Sequence, residues 1–176
     1  MLIRAATPAD VPVLEQLIAA SARTLSAGYY NEAQTDAAIA NVFGVDRELI
    51  EDGTYLVAEE DGELAGCGGW SRRTTLFGSD RFAGRTSGYV DPATGPAKIR
   101  AFFVAPTFAR RGVGKTLLDT CEAAARSAGF ITLELMATLP GVPFYVAQGY
   151  EPGTQVSLVF GTVSVDFVPM CKRFQI

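Results

Sequence analysis

Seven consecutive residues, Arg110-Arg111-Gly112-Val113-Gly114-Lys115-Thr116, set two glycines among three cations. Glycine carries no side chain, so a bulky anion can come close to the neighbouring N–H groups. The apolar run Ile99–Val104 precedes these residues, and an amphipathic stretch beginning at Val113 follows them. The glycines therefore stand where a helix starts shortly after a strand. A helix start leaves several N–H groups without an intrahelical acceptor and carries about half a positive charge. That is the chemistry of an anion site, and a diphosphate suits it. The chain contains no histidine. This removes Ser-His-Asp and Cys-His catalysis and imidazole ligation of a metal. Any acid or base is then Asp, Glu, Tyr, Lys, Cys, a water or the backbone.

The elements that must position this loop can be read along the chain. Leu2–Ala6 form a short strand. Thr7-Pro8-Ala9-Asp10 carry the capping and proline signals of a helix start, and Val11, Leu14 and Leu17-Ile18 continue it at helical spacing. Gly28-Tyr29-Tyr30 interrupt, and Asn31 with Gln34 restarts a helix. A short helical piece holds Leu49-Ile50. Thr54–Glu60 and Glu63–Arg73 flank Asp61-Gly62, a two-residue hairpin signal. Residues 74–95, rich in Gly, Arg, Ser, Asp and Pro, form an irregular connection long enough to be functional or mobile. Lys98–Val104 form the next strand. The helix that follows shows Val113, Leu117, Cys121 and Ala124 or Ala125 on one face and ends at Gly129. Ile131–Ala137 make another strand, Pro143 opens a short helix closed by Gly149, and Val156–Phe160 with Val163–Phe174 make a closing hairpin around Gly161-Thr162.

Composition bounds the function. A chain of 176 residues is ample for one core, and 48% hydrophobic with 19% charged residues is a folded composition. A net charge of −4 argues against a nucleic-acid surface, which needs a basic excess to displace counterions. The three cysteines, Cys67, Cys121 and Cys171, are odd in number and form no C-x-x-C pair. That speaks against a zinc site or a disulfide framework and favours a reducing cytoplasm. No apolar run follows Arg4 as a signal peptide would require, and none is long enough to span a bilayer.

Two kinds of phosphate binder fit the glycine loop. Ala109-x-x-x-x-Gly114-Lys115-Thr116 spells a loose nucleotide-binding P-loop, with Ala at the first Gly position. Against it, Ala105-Pro106-Thr107-Phe108 separate the loop from its strand. Only 60 residues follow Thr116, and Ile131-Thr132-Leu133-Glu134 lacks the Asp of a metal-holding second motif. The alternative rests on more of the chain. The strand, the loop, Arg111-Gly112-Val113-Gly114 and the helix resemble the Q/R-x-x-G-x-G/A signature of the GNAT acetyltransferase superfamily, with Ala109 at its first position. Val142-Pro143-Phe144-Tyr145-Val146-Ala147-Gln148-Gly149-Tyr150 resembles that superfamily's F-Y-x-x-x-G-F/Y segment. The element order, with helices before a central hairpin and a hairpin at the end, agrees.

The resemblance implies an α/β (α+β) fold over residues 1–176 as one domain. Its central mixed, twisted sheet would have six to seven strands and four or so flanking helices. It implies acetyl-CoA as acetyl donor, no metal, and a primary amine of a small molecule or peptide as acceptor. The backbone of Phe102-Phe103-Val104 would pair with the pantetheine arm. The pyrophosphate would lie over Arg110, Arg111, Gly112, Val113, Gly114 and Lys115, with Thr116 at the edge. Tyr145 matches the tyrosine placed near the CoA sulfur. An unperturbed phenol, with a pKa of about 10, keeps its proton at neutral pH and can give it to a departing thiolate. Thr138 falls where many relatives carry a CoA-contacting Asn. Lys98 falls where histone-acetylating relatives carry a Glu, which leaves Glu134 or a water relay as candidate bases. Deprotonating a lysine-like amine at neutral pH costs roughly 4 kcal/mol, whereas a less basic amine needs little help. Tyr29, Tyr30, Trp70, Arg72 and Arg73 are candidates for the acceptor cleft, each with an equally ordinary structural role. A non-catalytic CoA-binding module on the same fold is the second reading, and a homodimer is compatible with either.

Overall fold

The computed structural model describes residues 1–175. The elements are β1 (Leu2–Ala5), α1 (Val11–Leu25), α2 (Glu32–Asn41), α3 (Arg47–Glu51), β2 (Tyr55–Glu60), β3 (Glu63–Ser71), β4 (Ala97–Val104), α4 (Val113–Ser127), β5 (Thr132–Thr138), α5 (Val142–Ala147), β6 (Glu151–Pro152), β7 (Val156–Phe160) and β8 (Val163–Arg173). The strands join one sheet in the order β1-β2-β3-β4-β5-β8-β6, with β7 also pairing with β8. Among the described residues only the β4–β5 contact is parallel. The sheet is thus mixed, as expected, and gains an eighth strand from β6, whose two residues are too few to show a periodicity.

Local chemistry accounts for most boundaries. Asn31 accepts from the Gln34 N–H at 2.8 Å, and Gln34 accepts from the Asn31 N–H at 3.0 Å, so each satisfies a free donor of the α2 start. Asp61 and Gly62 both take positive φ, as a two-residue turn matched to strand twist requires. The stripe of α1, Leu14, Leu17 and Ile18, packs with Tyr55, Val57 and Phe167 in one core layer. On α4, Leu118, Cys121 and Ala125 pack with Ile99, Phe130 and Leu133 in another. Ala125, not Ala124, is the buried alanine.

Residues 74–95 lie tied to their surroundings. Thr75 and Thr86 exchange hydrogen bonds of 2.8 and 3.1 Å across the segment. The Ser79 N–H donates to the Val42 carbonyl at 2.7 Å, and Arg81 reaches Glu15 at 2.8 Å. Arg85 reaches Glu48 and Asp46, and Asp46 is also bonded by Arg100 of β4. This cluster is buried: Asp46 is fully enclosed and Arg100 is 3% exposed. Burial pushes the Asp46 carboxyl up and the Arg100 guanidinium down, and the opposite charge beside each resists the shift. The ion pairs fasten the 74–95 segment and the α2–α3 turn to the middle of the sheet.

Candidate active site

β4 and β5 pair only at Ala97↔Leu133 and Lys98↔Glu134. Beyond these residues the two strands have no register, so the β5-side edge of β4 from Ile99 to Val104 has no strand partner. The opposite edge keeps its ladder with β3, but the register slips there. Gly69 faces Arg100 and Cys67 faces Phe103, which leaves one extra residue on β4. Ala101 adopts φ +57° at this bulge, an uncommon conformation for a residue with a side chain. A bulge bends its strand, and here it accompanies the opening of the sheet. Tyr55 Oη donates toward the Ala101 carbonyl at 3.3 Å from the neighbouring core. Nothing in the letters of Ile99–Val104 signalled the bulge. Its cause is tertiary.

A cleft of about 670 Å³ fills the opening. This is the size of a small-molecule site. At one end lies the start of α4. Gly112, at φ +83°, turns the chain into the helix, and the first intrahelical bond runs from the Thr116 N–H to the Gly112 carbonyl at 3.0 Å. The N–H groups of Val113, Gly114 and Lys115 therefore lie outside the helical ladder. A Cβ built on Gly114 would meet Phe144 Cζ at 3.5 Å and Val104 Cγ2 at 3.6 Å, ordinary contact distances. Neither packing nor backbone conformation demands a glycine at 114, which is what a position kept open for a ligand would show.

The sequence-selected residues divide in space. Phe102, Phe103, Val104, Arg110, Gly112, Val113, Gly114, Lys115 and Tyr145 all line the cleft. Arg111 does not. Its guanidinium reaches Glu60 at 2.5 Å and sits over the Phe108 ring, which leaves its backbone in the loop. Thr116 does not line it either, since its hydroxyl donates to the Gly112 carbonyl at 3.1 Å. The Lys115 ammonium pairs with Asp119 at 2.6 Å, one turn along an exposed helix face. The two phenyl rings of β4 lie on opposite faces of the sheet. Phe102 covers Gly68, where a Cβ would come within 2.5 Å of the ring, and Phe103 stands edge-on to Phe43 at 5.4 Å.

Tyr145 is 9% exposed and packs edge-on against Phe144 and Tyr150. Burial holds its phenol well above the ordinary tyrosine range, with buried Cys121 adding to the effect. A phenol so held stays protonated throughout the physiological range, so it can donate and cannot act as a base. The other two buried tyrosines nearby use their hydroxyls structurally. Tyr30 donates to the Asp166 carbonyl at 2.5 Å and accepts from the Leu139 N–H at 3.0 Å, and Tyr150 donates to Glu122 at 3.0 Å. Burial lifts the Tyr30 phenol to about 12.

Of the remaining candidates Tyr29 and Thr138 line the cleft, and Glu134, Trp70, Arg72 and Arg73 fall outside it. Glu134 is ion-paired with Lys98, its register partner, and lines a separate hollow beside Glu151 and Pro152. It is neither free nor directed at the cleft. Trp70 stands edge-on to Phe130 in the α4-side core. Arg73 binds Asp52 through two bonds of 2.7 Å, and Arg72 and Arg73 both cover the Tyr89 ring. Tyr29 is exposed at the cleft rim. Thr138 also lines the cleft, but its hydroxyl caps the following turn by accepting from the Gly141 N–H at 3.2 Å. Among the described residues no Asp or Glu lines the cleft, and no cluster of three His, Cys, Asp or Glu is placed to hold a metal ion.

Comparison with known proteins agrees with this geometry. The sequence matches the acetyltransferase (GNAT) family across residues 19–150, which spans both the glycine loop and Tyr145. The chain belongs to the GNAT acetyltransferase family. Members of this family are acetyl-CoA-dependent acetyltransferases. No curated protein matches in sequence. Among solved structures, a GCN5-related N-acetyltransferase from Rhodopseudomonas palustris has a TM-score of 0.72 at 22% identity, covering 98% of this chain and 95% of that one. The PaiA N-acetyltransferase of Thermoplasma acidophilum, in complex with coenzyme A, has 0.66 at 19%, covering 98% of each chain. YncA of Salmonella typhimurium, with its cofactor acetyl-CoA, has 0.65 at 18%, covering 100% and 95%. At these identities the likeness is one of fold. No helix among the described residues is long and apolar enough to cross a membrane.

Proposed function

We propose that this chain transfers the acetyl group of acetyl-CoA to a primary amine of a small molecule or peptide, with residues 1–176 forming one acetyltransferase domain. One observation carries the reading: a single cleft runs from the free N–H groups of α4, along the unpartnered edge of β4, to Tyr145. The pyrophosphate would take the N–H groups between Arg110 and Lys115, with Arg111 contributing backbone only and Thr116 at the margin. The amide-bearing pantetheine arm would take the open backbone edge of Phe102, Phe103 and Val104, much as a peptide adds to a sheet edge. The acceptor nitrogen forms a bond to the thioester carbon, the C–S bond breaks, and Tyr145 donates its proton to the departing sulfur. With Glu134 bound to Lys98, the nitrogen's surplus proton would leave through water. The three cysteines are free thiols, which suits a reducing cytoplasm.

A second reading has its own observation. Among the described residues no carboxylate lines the cleft, which also suits a module that binds acyl-CoA without turnover. The nucleotide-hydrolysing reading is disfavoured because Lys115 is held by Asp119 and the Thr116 hydroxyl by Gly112, so neither is directed at a terminal phosphate or a metal ion. A thermal-shift series with acetyl-CoA, CoA, ATP and GTP separates these readings. A ligand at a hundred times its Kd stabilises by about 2.7 kcal/mol. Acetyl-CoA and CoA should raise Tm while ATP and GTP leave it unchanged, and thiol release with amines distinguishes enzyme from module. Stabilisation by ATP or GTP alone would reject the proposal.

A further inference from the structure

On the face of the sheet opposite α4 and Tyr145, the cleft continues into an arm walled by aromatic rings. Phe43 from the α2–α3 turn, Phe77 from the 74–95 segment, Phe103 from β4 and Phe167 from β8 converge there. Their centroids lie at 5.4 Å (Phe43–Phe103), 6.4 Å (Phe43–Phe167) and 6.0 Å (Phe77–Phe167). Phe77 and Phe103 are only half-buried, so the arm presents ring surface that the protein itself does not cover. Its position is fixed from outside: the Ser79–Val42 bond and the Arg85 and Arg100 pairs on Asp46 hold the 74–95 segment against β4. The charged residues that line the cleft are Arg100, Arg110 and Lys115, of which Arg100 is paired with Asp46 and Lys115 with Asp119, and among the described residues no Asp or Glu lines it. A cationic amine entering this arm would find no counter-ion, and nothing there would take its proton.

Resting on the acetyltransferase reading above, the geometry points to an acceptor of one chemical class: a weakly basic primary amine carried on an aromatic body, with the body seated among Phe43, Phe77, Phe103 and Phe167. Such an amine is already neutral at pH 7, so its lone pair attacks without a base. The nitrogen–carbon bond forms and the carbon–sulfur bond breaks. Tyr145 protonates the thiolate, the surplus proton on nitrogen passes to water, and water reprotonates Tyr145. Aromatic pairs favour offset or edge-on contacts at centroid separations of about 4.5–7 Å, the range in which the four rings already meet one another.

The test compares four acceptors with the full chain at saturating acetyl-CoA: an aniline, benzylamine, a lysine-containing peptide and spermidine. Calorimetry of acetyl-CoA alone, and of the aniline with the CoA complex, accompanies it. The aniline should give the highest kcat/KM at pH 7, at least tenfold above the peptide and spermidine, with a flat profile from pH 6 to 9. Benzylamine should rise with pH toward its own pKa. Phe77→Ala should raise KM for the aniline about tenfold and leave acetyl-CoA affinity unchanged, which also certifies its fold. Phe77→Leu, which keeps apolar bulk without a ring, should recover part of the loss. Preference for spermidine or the lysine peptide would overturn the inference. So would acetyl-CoA binding with neither turnover nor binding of the aniline. Failure of acetyl-CoA to bind at all would sink the underlying reading, and this inference with it.

Discussion

Substitution at Gly114 separates ligand binding from folding. Gly114 is the second residue of α4, and a Cβ there meets Phe144 and Val104 at ordinary contact distances. The fold should therefore accept Gly114→Ala and Gly114→Asp. Replacing a helical glycine by alanine stabilises by roughly 0.5–1 kcal/mol. A carboxylate in the first turn of a helix adds roughly 0.3–1 kcal/mol through the helix dipole. Both unliganded variants should thus melt at or above the wild-type temperature, by up to about 2–4 °C for a chain of this length. Binding should move the other way. The new Cβ occupies the approach to the Val113–Lys115 N–H groups, and the Asp carboxylate adds repulsion against a diphosphate. With acetyl-CoA at a hundred times the wild-type Kd, the wild type gains about 2.7 kcal/mol, or roughly 5–11 °C. A variant weakened a hundredfold gains about 0.4 kcal/mol at the same concentration, close to 1 °C. Differential scanning fluorimetry with and without acetyl-CoA reads both quantities in one plate, and calorimetry confirms the affinity. A Gly114→Asp protein that melts normally and binds acetyl-CoA with wild-type affinity would refute the placement of the anion on this loop.

Other substitutions probe the remaining parts. Tyr145→Phe should lower kcat by about 10²-fold, the lower end of what a positioned acid supplies, with acetyl-CoA affinity unchanged. Wild-type turnover in that variant would make Tyr145 a packing residue. Lys115→Ala should weaken acetyl-CoA by no more than about fivefold, because an exposed cation already shared with Asp119 contributes little; a hundredfold loss measured by calorimetry would contradict this. Asp46→Ala leaves Arg100 buried beside Arg85 without its main partner, and should destabilise by about 3–5 kcal/mol in denaturant titration. On the acid side, Arg4 holds the Asp10 carboxyl below its ordinary range through bonds of 2.8 and 2.9 Å. The stability from that pair is complete above about pH 4 and is lost as pH falls through the lowered value. Arg4→Gln should therefore show a shallower acid limb than wild type when Tm is followed from pH 5 to pH 2.

The sequence by itself determined everything that depends on neighbours along the chain. The strand–loop–helix around Gly112 and Gly114, the Asn31–Gln34 box, the Asp61-Gly62 turn and the stripes of α1 and α4 are local patterns, and each folds as its residues direct. The cationic loop and Tyr145 were legible for the same reason, since a helix start and a short helix each lie within about ten residues. Tertiary structure alone decided which groups are free to act. Arg111 carries the same charge as Arg110 in the sequence, yet its guanidinium is taken by Glu60 from β2, 51 positions away. Glu134 reads as a plausible base until the parallel register sets it against Lys98, 36 positions earlier. The opening between β4 and β5 was to be expected only through the family resemblance, and the bulge at Ala101 and the burial of Arg100 on Asp46 left no mark in the letters. They arise where strands and loops distant in sequence compete for the same space and the same hydrogen bonds, and a one-dimensional pattern records only the residues that compete.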